Sequence, residues 1–145
     1  MTSVPMAEPE SNEYRSDFLG RCVVLTPRRS SRPHDFVPCV PGKTSLPAQC
    51  FFCPGNESKT PPEIERVKAP GTSEWLARVF PNKFPAFGKS FKSAYGTHEV
   101  IVETPDHSKT LSQLDEAAFA RYLGLVARRL RAHAHDKKMK YTFIF

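Results

Sequence analysis

The chain has 145 residues, a net charge of +6 at pH 7 and a sequence pI of about 9.3, so its length suits one domain and its charge favours anionic partners such as phosphates, nucleotides or nucleic acid. No apolar run approaches the roughly 18 residues of a membrane-spanning helix, and the polar, acidic first residues lack the pattern of a secretory signal. We therefore expect a cytoplasmic protein without a membrane partner, in which the 4 cysteines are metal ligands or free thiols rather than disulfides.

The first half of the chain is predicted to be rich in loops, since most of the 14 prolines precede residue 85. Residues 1–17 look like a disordered arm. Residues 21–26 are apolar and β-branched and predict a strand that Pro27 ends. A basic, proline-punctuated loop at 27–38 and a region of loops with local order at 39–73 follow.

The second half has clearer periodicity. Residues 75–80 predict a strand closed by a proline, and 98–104 predict the clearest strand, with Val100 and Val102 on one face and Glu99 on the other. From 115 to 135 the apolar residues recur with the spacing of one helical stripe. The stripe consists of Phe119, Tyr122, Leu123, Val126 and Leu130. The apolar residues 141–145 predict a further strand.

A cysteine pair carries the sharpest chemical signal. Cys50 and Cys53 form a C-x-x-C motif followed by Pro-Gly, which is typical of a zinc knuckle because both sulfurs can converge on one tetrahedral ion. An accidental pair or a redox pair is the alternative, although no thioredoxin-like context surrounds the motif. His107, in the loop between the strand at 98–104 and the helix, is the best third ligand.

The remaining candidate ligands have simpler explanations. His133 and His135 lie about 200 degrees apart around a helix and cannot share one ion there, whereas cationic side chains near a helix C-terminus are expected on dipole grounds. Cys22 is explained as a small buried thiol within a strand. Cys39 could join the zinc site, but its neighbours give no specific support.

Five segments taken in order resemble the galactose-1-phosphate uridylyltransferase family, a branch of the histidine-triad superfamily. They lie at 24–33, 50–56, 78–86, 98–102 and 105–111 and include the sequences C-F-F-C-P-G-N and R-V-F-P-N-K-F-P-A. Each segment alone is weak, but five in the family's order are specific.

The resemblance implies transfer of UMP from UDP-glucose to galactose 1-phosphate, as part of galactose metabolism, through a covalent uridylyl-histidine. It implies that Cys50, Cys53 and His107 are three of the four zinc ligands, with zinc as the cofactor. It also implies a set of substrate-binding residues. These are Arg29, Arg32, Asn82, Lys83 and Phe84. Lys83 departs from the common Asn-Asp pair, which leaves the base preference open.

No histidine of the family's His-Pro-His type occurs in the chain. The resemblance therefore implies that the nucleophile and the fourth zinc ligand lie beyond residue 145, that no catalytic residue is present, and that the isolated chain has little or no transferase activity. The chain would correspond to the amino-terminal half of the family's enzymes.

Two other functions remain open. A related phosphorylase acting on ADP-glucose or on dinucleoside polyphosphates would share the zinc and strand segments. A non-catalytic zinc-binding module that contacts nucleic acid is permitted by the charge, but there is neither a second C-x-x-C nor a zinc-finger histidine pair.

The expected fold is α+β, with an antiparallel sheet and one long packed helix forming half of a histidine-triad-like barrel that is incomplete at its C-terminus. Residues 18–145 would form this domain, after the arm at 1–17. The open edge of the last strand and the family's habit suggest a homodimer.

Overall fold

The computed structural model describes residues 12–27 and 46–145. The predicted basic loop, with Arg29 and Arg32, and Cys39 lie outside these residues. The chain divides into two compact units. The first comprises residues 1–36 and 84–98, and the second comprises residues 37–83 and 99–145.

The first unit contains an antiparallel pair of strands, β1 (Glu13–Ser16) and β2 (Cys22–Leu25). The turn between them is fixed by Asp17, whose carboxylate accepts hydrogen bonds from the backbone N–H groups of Leu19 and Arg21, both at 2.8 Å. The strand predicted at 21–26 is thus found. The last residues of the predicted disordered arm at 1–17 are instead ordered in β1. Their strand structure comes from hydrogen bonds with β2, which the short polar sequence of β1 does not predict.

The same unit holds residues 84–98 in an ordered loop. The side chain of Asn12 is buried and donates to the carbonyl oxygens of Pro85 and Ala86, each at 2.8 Å. The N–H of Ala86 donates to Nδ1 of His98 at 3.0 Å. These bonds satisfy backbone groups that a loop would otherwise leave unpaired.

The second unit is built on a three-stranded antiparallel sheet in the order β3-β4-β5. Its strands are β3 (Glu65–Lys68), β4 (Trp75–Pro81) and β5 (Glu99–Val102). The predicted strands at 75–80 and 98–104 are confirmed, whereas β3 was missed within the region predicted as loop. The sequence of β3, Glu-Arg-Val-Lys, has one apolar residue, and its strand structure comes from pairing with β4.

Helix α1 (Glu116–Ala134) begins at Asp115, whose side chain accepts from the N–H of Ala118 at 2.7 Å. The helix itself is confirmed, but its predicted inner face is wrong in part. Leu125, outside the predicted stripe, is fully buried against Ala77 and Val79 of β4. Three stripe residues are instead well exposed. They are Phe119 at 41%, Leu123 at 48% and Leu130 at 37%.

Polar contacts between helix and sheet accompany this orientation. Glu99 of β5 accepts from Nε and Nη2 of Arg129, at 3.0 and 2.9 Å, and its Oε1 lies 2.8 Å from Nε2 of His133. Arg128 pairs with Glu65 of β3. These contacts keep Arg129 and His133 largely covered, on a face that an apolar pattern alone would not select.

The Glu99 contacts predict a pH dependence of folding stability. Burial raises the pKa of Glu99, but the hydrogen bonds and positive charges of Arg129 and His133 lower it more, so the net shift is downward. A carboxylate with a lowered folded-state pKa stabilises the fold above its unfolded-state pKa of about 4.3, and this contribution disappears as the pH falls through the folded-state pKa.

We expect Glu99→Gln to lower the free energy of unfolding by about 1–2 kcal/mol at pH 7, because it removes the negative charge from the largely covered contacts with Arg129 and His133. The difference from wild type should vanish when urea unfolding is repeated below the folded-state pKa. Glu74→Gln, at an exposed position in the β3–β4 turn, is the control. An equal loss at both pH values would show that the ionised carboxylate is not the stabilising group.

Residues 141–145 do not form the predicted strand. They have no ladder partner in the described chain, and Phe143 and Phe145 are 74% and 93% exposed. The α+β class, with antiparallel strands and one long helix among the described residues, is confirmed. None of the helices in the described ranges has the length and apolar character needed to span a bilayer.

Candidate metal centre

The C-x-x-C motif folds as a compact turn in the second unit. The N–H of Cys53 donates to the carbonyl oxygen of Cys50 at 3.4 Å, and the N–H of Asn56 donates to that of Cys53 at 3.2 Å. The Asn56 side chain donates to the Cys50 carbonyl at 2.8 Å. Gly55 has φ of +85 degrees, a left-handed conformation that glycine adopts without strain. Local sequence therefore reverses the chain directly after Cys53.

His107 reaches this turn from the loop between β5 and the helix. The loop is shaped by Asp106, whose Oδ1 accepts from the N–H and the hydroxyl of Ser108 at 3.0 and 2.7 Å. The hydrogen bond from the Ser108 hydroxyl is the largest cause that lowers the pKa of Asp106. The hydrogen bonds between Asp106 and Ser108 fix the backbone on both sides of His107.

Cys50, Cys53 and His107 come together, with their ligand atoms all within 4.8 Å of one another. Sγ of Cys53 lies 3.1 Å from Nδ1 of His107. A tetrahedral zinc site with Zn–S of about 2.3 Å and Zn–N of about 2.0 Å spaces its ligand atoms roughly 3.5–3.8 Å apart. The observed cluster needs only small side-chain shifts to match it. Two thiolates and an imidazole are also ligands that suit zinc.

Burial, the neighbouring thiol and one buried charge act on the Cys53 side chain of the cluster. Burial raises the pKa of the Cys53 thiol, and the neighbouring Cys50 raises it further, while the charge of Arg78 acts in the opposite direction. Cys53 is 5% exposed, but the cluster borders an open depression of about 560 Å³. Its walls include Pro47, Pro54 and Pro105. The site is therefore accessible to an ion from solution.

The structure does not test the roles of the predicted substrate-binding residues. Asn82 and Lys83 directly follow β4 in the second unit, with Asn82 half-buried and Lys83 exposed. Phe84 is half-buried and belongs to the first unit. Arg29 and Arg32 are outside the described residues. The substrate-binding roles of all five residues stay predictions.

One residue beside the cysteines was missed. Arg78, in the middle of β4, is fully buried and hydrogen-bonds the backbone between Cys50 and Cys53. The signal for it was present in the sequence, since an arginine inside the otherwise apolar strand Trp-Leu-Ala-Arg-Val-Phe must be paired when that strand is buried.

Comparison with known proteins places this chain beside nucleotide-sugar enzymes. It is 29% identical over 154 aligned residues to an ADP-glucose phosphorylase of Arabidopsis thaliana, covering 95% of this chain and 44% of that protein. No protein-family model matches the chain.

Solved structures give the same picture. The crystal structure of an ADP-glucose phosphorylase from Arabidopsis thaliana with bound ADP-glucose matches with a TM-score of 0.58 and 30% identity, over 90% of this chain and 41% of that one. The X-ray structure of a GalT-like protein from the same plant matches with a TM-score of 0.59 and 30% identity, over 63% of this chain and 32% of that one. The chain thus spans less than half the length of these relatives.

Proposed function

We propose that the chain supplies the metal centre and part of the nucleotide site of a nucleotidyltransferase acting on nucleotide sugars, because it is similar to an ADP-glucose phosphorylase and to a GalT-like protein and resembles the galactose-1-phosphate uridylyltransferase family. The observation that carries the proposal is the meeting of Cys50, Cys53 and His107. These three residues are the ligands implied by the family resemblance.

The proposed reaction moves a nucleotidyl group. The bond from the α-phosphorus of the nucleotide sugar to the sugar-phosphate oxygen breaks, and a bond to an oxygen of an acceptor phosphate forms. The resemblance implies two steps, in which a histidine first takes the nucleotidyl group as the sugar phosphate leaves, and the acceptor phosphate then takes the group from the histidine. The histidine nucleophile stays a prediction.

The chain's own residues would bind and orient the substrate. Lys83, Arg29 and Arg32 would offset the negative charge of the phosphates, for which arginine's planar donor fork is well suited. Asn82 would contact the nucleoside end, and Phe84 would line the pocket. Zinc, when bound, would link the C-x-x-C turn to the loop of His107 and so hold this part of the fold together.

ADP-glucose is the first candidate substrate, because the ADP-glucose phosphorylase match extends over most of this chain and the homologous crystal structure contains that compound. UDP-glucose, with galactose 1-phosphate as acceptor, is the second candidate, and the match to a GalT-like protein supports it. Lys83, which replaces the acidic residue of the family's common pair, is the position at which we expect a difference in base preference.

Equilibrium binding of ADP-glucose and UDP-glucose to the zinc-loaded chain, by calorimetry, tests this proposal. We expect measurable ADP-glucose binding that Lys83→Ala weakens. The control is Lys137→Ala, which replaces an exposed lysine in the segment after the helix and should leave the binding unchanged. Tighter UDP-glucose binding would select the second candidate. Binding of neither compound, together with salt-sensitive DNA binding, would favour the nucleic-acid module instead.

A further inference from the structure

Arg78 is a charged residue in a position that suits an apolar one. It lies in the central strand of the sheet and its side chain is 0% exposed. Taking a guanidinium out of water is costly, and replacing a buried ion pair by apolar side chains of similar volume is often neutral or stabilising. Nε of Arg78 also has no hydrogen-bond partner among the described residues. Stability of the sheet alone therefore does not account for an arginine here.

The two arms of the guanidinium join two different segments. Nη2 donates to the carbonyl oxygens of Phe51 and Phe52, at 3.4 and 3.2 Å. Nη1 donates to Oγ1 of Thr60 at 3.1 Å and to Oε1 of Glu63 at 3.2 Å. Phe51 and Phe52 are the two residues between the cysteines. Arg78 thus attaches the C-x-x-C turn both to β4 and to the segment that leads into β3.

Two aromatic rings lie close to the guanidinium. Its central carbon lies 5.1 Å from the ring centroid of Trp75 and 4.9 Å from that of Phe80. Phe80 in turn stacks on Phe52, with ring centroids 6.0 Å apart. Trp75 donates from Nε1 to Glu57 at 2.7 Å. A side chain held by two rings and four acceptors has little freedom, so the carbonyl groups that it contacts are also held.

We infer that Arg78 is a positioning residue for the metal centre: by fixing the Phe51 and Phe52 carbonyl groups it sets the directions in which the two cysteine side chains leave the turn. The inference rests on the proposed metal site. Lysine cannot replace arginine in this role, because a single ammonium group cannot serve both arms of the fork or stack on an aromatic ring as a planar guanidinium does.

Cobalt binding to the full chain provides the test, since Co²⁺ reports both affinity and coordination geometry by its absorption spectrum. We expect Arg78→Lys to weaken Co²⁺ affinity by roughly 10–100-fold, the usual cost of changing a group that orients metal ligands. We also expect altered visible bands at saturating Co²⁺. If Arg78 only supports the sheet, Arg78→Lys would lower the unfolding midpoint of the metal-free chain and leave these bands unchanged.

The matched control is Arg66→Lys. Arg66 lies opposite Arg78 in the β3–β4 register and pairs with the same carboxylate, Glu63, at 2.6 Å. It is partly exposed, so its change should alter Co²⁺ affinity by no more than roughly threefold. Thr60→Val is a second, milder variant that loosens the other arm of Arg78. It should weaken Co²⁺ binding by about fivefold, the usual effect of one lost hydrogen bond, and it decides the question if Arg78→Lys does not fold.

If Arg78→Lys binds Co²⁺ with unchanged affinity and spectra, the inference about Arg78 is wrong. The proposed metal centre would still be supported in that case, provided that the wild-type chain binds Co²⁺. If Arg78→Lys does not fold, unchanged affinity and spectra in Thr60→Val would overturn the inference equally. Failure of the wild-type chain itself to bind Co²⁺ would overturn the proposed metal centre and the role of Arg78 with it. The two failures are therefore distinguishable in one set of titrations.

Discussion

Replacement of Cys53 by alanine should abolish specific metal binding, with a loss of affinity of more than about 100-fold in Co²⁺ or Zn²⁺ titrations against a competing chelator. The expected effect exceeds the 10–100-fold typical of residues that only orient ligands, because alanine removes a ligand atom outright. The rise in unfolding midpoint that zinc should give the wild-type chain by preferential binding to the folded state should disappear as well.

Cys22→Ala is the matched control. Both cysteines are free thiols, but Cys22 is exposed in β2 of the first unit rather than buried as predicted. Its replacement should leave metal affinity unchanged. In the absence of metal, Cys53→Ala should cost only about 1 kcal/mol of stability, since a buried free thiol behaves as a small apolar group. Equal metal affinity in the two variants would contradict the assignment of Cys53 as a ligand.

The metal cluster could be predicted because most of its information is local. Two residues between the cysteines, followed by Pro54 and Gly55, favour a turn from the local sequence. His107 is distant in sequence and was selected by resemblance and by its place in a loop. Its meeting with the cysteines depends on the order of the strands, which the spacing of residues does not state.

The features that were missed depend on partners rather than on the residues themselves. Strand β3 has too few apolar residues to be predicted from its sequence, and it forms by pairing with β4. Residues 141–145 are apolar enough for a strand but have no ladder partner in the described chain. In the sequence, Arg78 was identified only as part of a segment that resembles the family. Its contacts with the C-x-x-C turn depend on the packing of β4 against that turn, which the sequence alone does not show.

The helix gives the clearest example of an incomplete pattern. Apolar residues lie on a broad part of its surface, so the 3.6-residue period identified a helix without fixing which part faces the sheet. Glu99 contributes to that choice by binding Arg129 and His133. The observed inner face is rotated from the predicted stripe by less than one residue step of about 100 degrees. Val126 belongs to both faces and is buried in the structure.

Leu125→Ala is therefore expected to destabilise the chain much more than Leu123→Ala, although the two residues belong to the same helix and undergo the same substitution. Leu125 is 0% exposed and packs with Ala77 and Val79, so its truncation should cost about 2–5 kcal/mol of unfolding free energy through lost burial and a residual cavity. Leu123 is 48% exposed, and its truncation should change stability by no more than about 0.5 kcal/mol.

Urea unfolding followed by circular dichroism measures both values. The comparison also separates two orientations of the helix, because the predicted stripe contains Leu123 and not Leu125. A larger effect at Leu123 would mean that in solution the helix turns its predicted stripe to the sheet, and the Glu99 contacts would then have to be broken. A larger effect at Leu125 would show that ion pairs and core packing, acting together, select the inner face of a helix whose apolar pattern is ambiguous.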